Sequence, residues 1–147
     1  MATRRAAREL ALQALYQLDV LGDAGAEASS LALFWEHFDP ESDSENRGFA
    51  REIVTGVRAD LERIDGLIAA AAEHWRLPRL SRVDLNLLRL GVYELLQRPE
   101  IPASVTLDEA VEIARRFGSE ESAAFVNGVL DHIARQIEAP GLSRRST

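Results

Sequence analysis

The stretch RRAARELALQALYQLDVL, residues 4–21, decides the fold class. Its apolar side chains Ala7, Leu10, Ala11, Ala14, Leu15, Leu18 and Leu21 recur at intervals of three and four. That spacing gathers them on one face of an α-helix. Thr3 stands where an N-cap is needed. Gly22 and Gly25 stand where a helix ends. Outside this stretch the same period continues, and nothing alternates as a half-buried strand does. Val and Ile are sparse, whereas Ala, Leu, Glu and Arg, strong helix formers, dominate. The fold class is therefore all-α.

Further along, a short helix over about Ser30–Phe38 turns Leu31, Phe34, Trp35 and Phe38 inward. DPESDSEN, Asp39–Asn46, has nothing to bury and reads as a loop. From Glu45 to Trp75 the pattern is helical again, with Phe49, Ile53, Val57, Leu61, Ile64 and Ile68 at spacings of three and four. Its length calls for a break near Gly56–Asp60. Leu77–Arg82, with Pro78, is a connection. Ser81 caps the next helix, with Asp84 completing a shortened capping box, and that helix runs to Gln97. PEIP, Pro99–Pro102, excludes helix. Thr106 and Glu109 have the spacing of a capping box, opening a helix to about Phe117, with Gly118 just beyond its end. Ser119 caps the last helix, which runs to about Glu138. The tail after Pro140 is expected to be disordered. Six to seven helices with short links make a compact bundle.

Composition limits the chemistry. The chain has 147 residues, the size of one domain, and no cysteine, which removes disulfides and thiol nucleophiles. All 17 basic residues are arginine, so lysine-dependent catalysis is excluded. No run approaches the roughly 18 apolar residues of a membrane span. The N-terminal arginines are followed by no signal-peptide core before Glu9. A cytoplasmic location is expected. The net charge of −7 argues against nucleic acid at first. It is unevenly spread, however. Residues 1–20 are net +1 and 76–98 net +3, while 21–75 are net −8 and 99–147 net −3. An acidic body with two basic segments suits local contact with a polyanion, aided by a partner.

Catalytic and metal motifs are missing. His37, His74 and His132 are scattered, with no ligand spacing between them. There is no glycine-rich phosphate loop and no nucleophile elbow. Asp108/Glu112 and Glu120/Glu121 lie at helix starts, where the dipole alone accounts for acids. The chain is expected to be no enzyme and to carry no cofactor or metal.

What remains is the trio Arg4, Arg5 and Arg8. On a helix, Arg4 and Arg8 stack at i, i+4, and Arg5 and Arg8 meet at i, i+3. Three guanidiniums at a helix start oppose the macrodipole. Arginine forks match phosphate oxygens and stack on bases. The alternative is a solvated basic face partly neutralised by Glu9. Aromatic platforms usually accompany basic groups in single-strand recognition. Phe117 and Phe125 flank the turn GSEES. Core packing is the better reading of Phe117, and Phe125 is open between core and surface. Gly91 and Gly128 lie inside helix patterns, which points to close approach of another helix.

Four ordered segments carry a family resemblance: RRAARELALQALYQLD (Arg4–Asp19), RVDLNLLRLGVYELL (Arg82–Leu96), IPASVTLDEAVEIARRFGSEES (Ile101–Ser122) and FVNGVLDHI (Phe125–Ile133). Together they resemble the NusB family of bacterial transcription antitermination factors. The resemblance implies two small helical subdomains, residues 1–75 and 76–139, before the tail at 140–147. It implies binding to single-stranded boxA RNA of ribosomal RNA leader transcripts. It implies a partner, NusE, which is ribosomal protein ten of the small subunit, and assembly with RNA polymerase and other Nus factors. Self-association as a homodimer is a property of some members.

By the same resemblance, Arg4, Arg5 and Arg8 match the family's RNA-binding arginines. Phe125 matches an aromatic that meets RNA, beside Glu121. Asp84 matches an acidic position at the NusE contact, and Arg82 and Leu87 share that surface. Two departures stand out. Ala124 replaces a lysine of some relatives, and Ala69–Ala72 replaces a segment that carries an aromatic in some, leaving Trp75 as the nearest ring. Competing readings are the NusB-like domain of ribosomal RNA methyltransferases and a protein-binding adaptor. A DNA-binding repressor fits poorly, because its candidate recognition helix, Ser104–Phe117, is acidic toward its start.

Overall fold

The computed structural model describes residues 4–22, 44–74 and 80–138. Six α-helices lie among these residues: α1 (Arg4–Leu21), α2 (Ser44–Ala59), α3 (Leu61–His74), α4 (Arg82–Gln97), α5 (Ala103–Phe117) and α6 (Glu120–Glu138). The described residues contain no strand. None of their helices is long and apolar enough to cross a membrane. The expected helix at Ser30–Phe38, the cap at Thr3, Gly25, Trp75, the 75/76 subdomain boundary and the tail fall outside the described residues.

α1 has the bounds its periodicity predicts, and Gly22 follows it at φ 62, a left-handed conformation suited to glycine. α2 begins at Ser44, one residue before the expected start at Glu45. Glu45 in the first turn favours this start, since it meets the positive end of the helix dipole. The break in the long helical segment is one residue, Asp60, whose N–H donates to Val57 O and whose carbonyl accepts from Ile64. Gly56 is not the breaker. A Cβ there would lie 2.0 Å from Tyr93 Cε1, so the glycine makes room for a ring.

α4 opens as expected in one respect: Ser81 Oγ accepts from the Asp84 N–H at 3.0 Å. The reciprocal half of the capping box is replaced, because Asp84 Oδ2 accepts instead from the Ser122 hydroxyl at 3.1 Å. The Thr106–Glu109 capping box does not form. α5 starts at Ala103, with the Pro102 carbonyl accepting from Val105 and Thr106. Thr106 is consequently one turn inside and buried. Gly118 ends α5 at φ −133, with no left-handed step. Ser119 caps α6 by accepting from the Ser122 N–H at 3.1 Å.

α4 is the axis of the bundle and packs against each of the other five helices. Leu87, Leu88, Leu90, Val92, Leu95 and Leu96 bury it all round, as a helix apolar on every side requires. Each such side chain contributes about 1.5–3 kcal/mol when fully buried. At Gly91 a Cβ would sit 2.8 Å from Leu130 Cδ1, the close approach of another helix that the sequence suggests. One core cluster takes side chains from all six helices.

Candidate nucleic-acid interface

A helix buried all round cannot leave its polar side chains to water, so those of α4 must find partners inside the bundle. α1 supplies them. Glu94, 1% exposed, accepts from Arg8 Nε at 2.7 Å and Nη2 at 2.8 Å. The Thr106 hydroxyl donates to the same carboxylate at 3.3 Å. At the opposite end of α1, Asp19 accepts from the buried Asn86 amide at 3.1 Å. Arg89 sits 3.8 Å from Asp19 and forks onto Asp65. The start of α1 thus meets the end of α4, and the end of α1 meets its start. Two polar clamps set an antiparallel register.

This corrects the reading of the arginine trio. Arg8 is only 3% exposed and belongs to the interior. The buried face of α1 is wider than the stripe named from sequence, because Arg8 and Leu12, at i and i+4, also lie within it. Arg8 therefore offers no guanidinium to a ligand.

Arg4 and Arg5 do face outward. Arg4 lies over the Phe49 ring, 4.0 Å from its centroid, with Arg98 at 5.2 Å and Arg8 at 5.6 Å. Cation–π attraction holds these groups about one buried ring. Arg5 is 47% exposed and its Nε donates to Glu109 at 2.5 Å. Glu109 also lies 4.0 Å from Arg8 Nη1. Arg5 opens onto a cleft of about 780 Å³ shared with Glu109, Arg115, Glu120, Ala124 and Asn127. Arg115 donates there to Glu112 at 2.6 Å and to Glu120 at 3.0 Å. The hydrogen bond and charge of Glu109 raise the Arg5 pKa above its ordinary value, and Glu120 does the same for Arg115.

Glu121 is exposed in the first turn of α6. Phe125 is half-buried and packs against the core. The cleft brings Arg5 to Ala123 and Ala124 rather than to Phe125 itself. Phe117 reverses its expected place. It ends α5 at the surface, 42% exposed, with Arg116 5.3 Å from its ring centroid. Arg116 in turn pairs with Glu9 at 2.9 Å.

The second group of sequence candidates lies at the start of α4. Arg82 is exposed, and its Nη1 donates to the Asp19 carbonyl at 3.1 Å. Asp84 is 9% exposed and occupied by Ser122. Leu87 is fully buried, which withdraws it as a surface residue. It lies one turn beyond Asp84, where α4 faces the core.

Beside Arg82 lies a feature the sequence reading missed. An apolar groove of about 510 Å³ is lined by Leu12, Tyr16, Val20, Leu21, Val83 and Phe117. Tyr16, Val20, Leu21 and Phe117 are all exposed. The signal was present: Leu12, Tyr16 and Val20 recur at i, i+4 and form a second apolar line on α1. Among the described residues no group of three or more His, Asp or Glu is arranged to hold a metal.

Comparison with known proteins agrees with this architecture. The chain matches the model of the NusB family over residues 5–135. It is 50% identical over 141 residues to the transcription antitermination protein NusB of Geobacter sp. strain M21, covering 93% of this chain and 97% of that one. It is 47% identical over 140 residues to the protein of the same name from Myxococcus xanthus strain DK1622, covering 95% and 100%. Among solved structures it resembles T. maritima NusB, with TM-score 0.78, 41% identity and 92% of both chains covered. It also resembles a chain in a crystal structure of antitermination factors NusB and NusE in complex with dsRNA. There the TM-score is 0.77 at 26% identity, covering 90% of this chain and 96% of that one. With a family model matched along most of its length and relatives near half identical, the chain belongs to the NusB family.

Proposed function

We propose that this chain is a non-catalytic transcription antitermination factor. It binds the boxA element of ribosomal RNA leader transcripts together with NusE, and assembles through it with RNA polymerase and the other Nus factors. The observation that carries the RNA part is the outward exposure of Arg4 and Arg5 on a helix whose third arginine is locked inside. Exposed guanidiniums reach phosphate oxygens in bidentate fashion. Glu121 and the edge of Phe125 complete the RNA-facing surface. A chain of net −7 gains little from long-range attraction to RNA, which favours joint binding with a partner.

The partner surface lies around the start of α4. Arg82 supplies an exposed charge, Asp84 stands at its margin, and the groove of Tyr16, Val20 and Phe117 supplies apolar area. An apolar centre with a charged rim is the usual anatomy of a protein interface.

The test is a titration of labelled single-stranded boxA RNA with the wild type and an Arg4→Ala/Arg5→Ala variant, each with and without NusE, with duplex RNA as competitor. The double variant is expected to bind roughly ten- to thirty-fold more weakly, at about 1 kcal/mol per lost contact. NusE should tighten binding by both proteins. Equal affinity of wild type and variant would remove Arg4 and Arg5 from the interface.

A further inference from the structure

Three arginines on the outer surface near α1 are already paired with acids. Arg5 is bonded to Glu109, Arg115 to Glu112 and Glu120, and Arg116 to Glu9. The cleft that Arg5 opens onto holds two arginines, Arg5 and Arg115, against four acids, Asp108, Glu109, Glu112 and Glu120. A polyanion entering it meets net negative charge and cations already engaged. Resting on the RNA reading above, we propose that Glu109 is an internal competitor for RNA phosphate, so that Arg5 takes up RNA only by exchanging a carboxylate for a phosphate.

The geometry makes that exchange easy. Arg5 is 47% exposed and Glu109 21%, and exposed pairs of this kind contribute little net stability. A guanidinium that pairs with a carboxylate also pairs with a phosphate. Glu109 is not stranded when Arg5 leaves it. Its other oxygen is 4.0 Å from Arg8 Nη1, and part of the carboxylate faces water. Arg8 cannot follow Arg5 outward, because Glu94 holds it through two bonds. The buried arginine thus provides a resting place for the displaced acid. Glu109 sets RNA affinity without touching RNA, and keeps binding by this chain weak until a partner adds contacts.

The experiment is a double-mutant cycle on full-length protein, with labelled single-stranded boxA RNA as the probe at about 50 mM salt. Glu109→Gln, near in shape and unable to carry the charge, is expected to bind roughly two- to five-fold tighter than wild type. In an Arg5→Ala background the same change is expected to give no gain. Circular dichroism melts check that all four proteins fold. No gain in the presence of Arg5 overturns the proposal while leaving the RNA reading intact. An equal gain with and without Arg5 also overturns it, because Glu109 then acts only as general negative charge. Absence of RNA binding by every protein overturns the RNA reading, and this inference with it.

Discussion

Replacing Arg8 by alanine leaves the Glu94 carboxylate at the centre of the bundle without its cation. Glu94 is 1% exposed and receives two guanidinium hydrogen bonds, at 2.7 and 2.8 Å. After the substitution the Thr106 hydroxyl at 3.3 Å is its one remaining hydrogen-bond partner among the described residues. Removing one partner of a buried pair typically costs about 3–5 kcal/mol, far above the roughly 0.2–1 kcal/mol of an exposed pair such as Arg5–Glu109. Against a usual domain stability of about 5–15 kcal/mol, the loss is a large fraction. Urea unfolding followed by circular dichroism reads it directly. With a slope of about 2 kcal/mol per molar, the midpoint should fall by roughly 2 M in Arg8→Ala and by less than about 0.5 M in Arg5→Ala. A paired replacement, Arg8→Met with Glu94→Leu, removes both charges for similar volume and should regain most of the stability. An Arg8→Ala protein within about 1 kcal/mol of wild type would refute the reasoning, as would equal losses for Arg8→Ala and Arg5→Ala.

Two further perturbations probe the packing of α2 on α4. Gly56→Ala puts a Cβ 2.0 Å from the Tyr93 ring, whose hydroxyl is tied to Glu52 at 2.8 Å. The strain should exceed the helix-propensity gain of about 1 kcal/mol and leave a net loss of about 1–2 kcal/mol. A melting temperature at or above wild type would contradict this. Burial, first, and the Glu52 carboxylate, second, hold the Tyr93 pKa above its ordinary value. The unfolded chain releases that proton near pH 10 while the folded chain keeps it. This stabilisation is therefore complete below about pH 10 and is lost as pH rises beyond it. Tyr93→Phe should show a shallower alkaline loss in urea midpoints measured from about pH 8 to 11, and identical slopes would exclude Tyr93 as the source.

Local pattern made α1, the Asp60 break, and the ends of α4 and α6 readable. A regular stripe, one turn residue and a serine cap each act within a few residues. The central place of α4 had a signal that went unread, since a helix apolar on every side must be buried, but which five helices surround it is set by tertiary packing and leaves no local trace. The same limit produced the error at Arg8. Its spacing from Arg4 and Arg5 suggested one shared face, while its partner Glu94 lies 86 residues away and leaves no local trace. Thr106 misled in a related way. Its spacing to Glu109 fits a capping box, yet Pro102 had already opened the helix one turn earlier. Arg4 and Arg5 were legible as surface groups because they precede the apolar stripe. Phe117 was not, since an aromatic at a helix end can turn to either side.

In the proposed function Arg4 and Arg5 meet phosphate while Arg8 serves the interior. The salt dependence of boxA binding tests that division most directly. The logarithm of the binding constant falls linearly with the logarithm of salt concentration, by roughly 0.7 per phosphate contact on a single strand. Wild type, Arg4→Ala/Arg5→Ala and Arg8→Met/Glu94→Leu should therefore separate into two groups. The slope should flatten by about 1.4 in the first variant and stay at the wild-type value in the second. An unchanged slope in the Arg4/Arg5 variant, or a flattened one in the Arg8/Glu94 variant, would contradict the account.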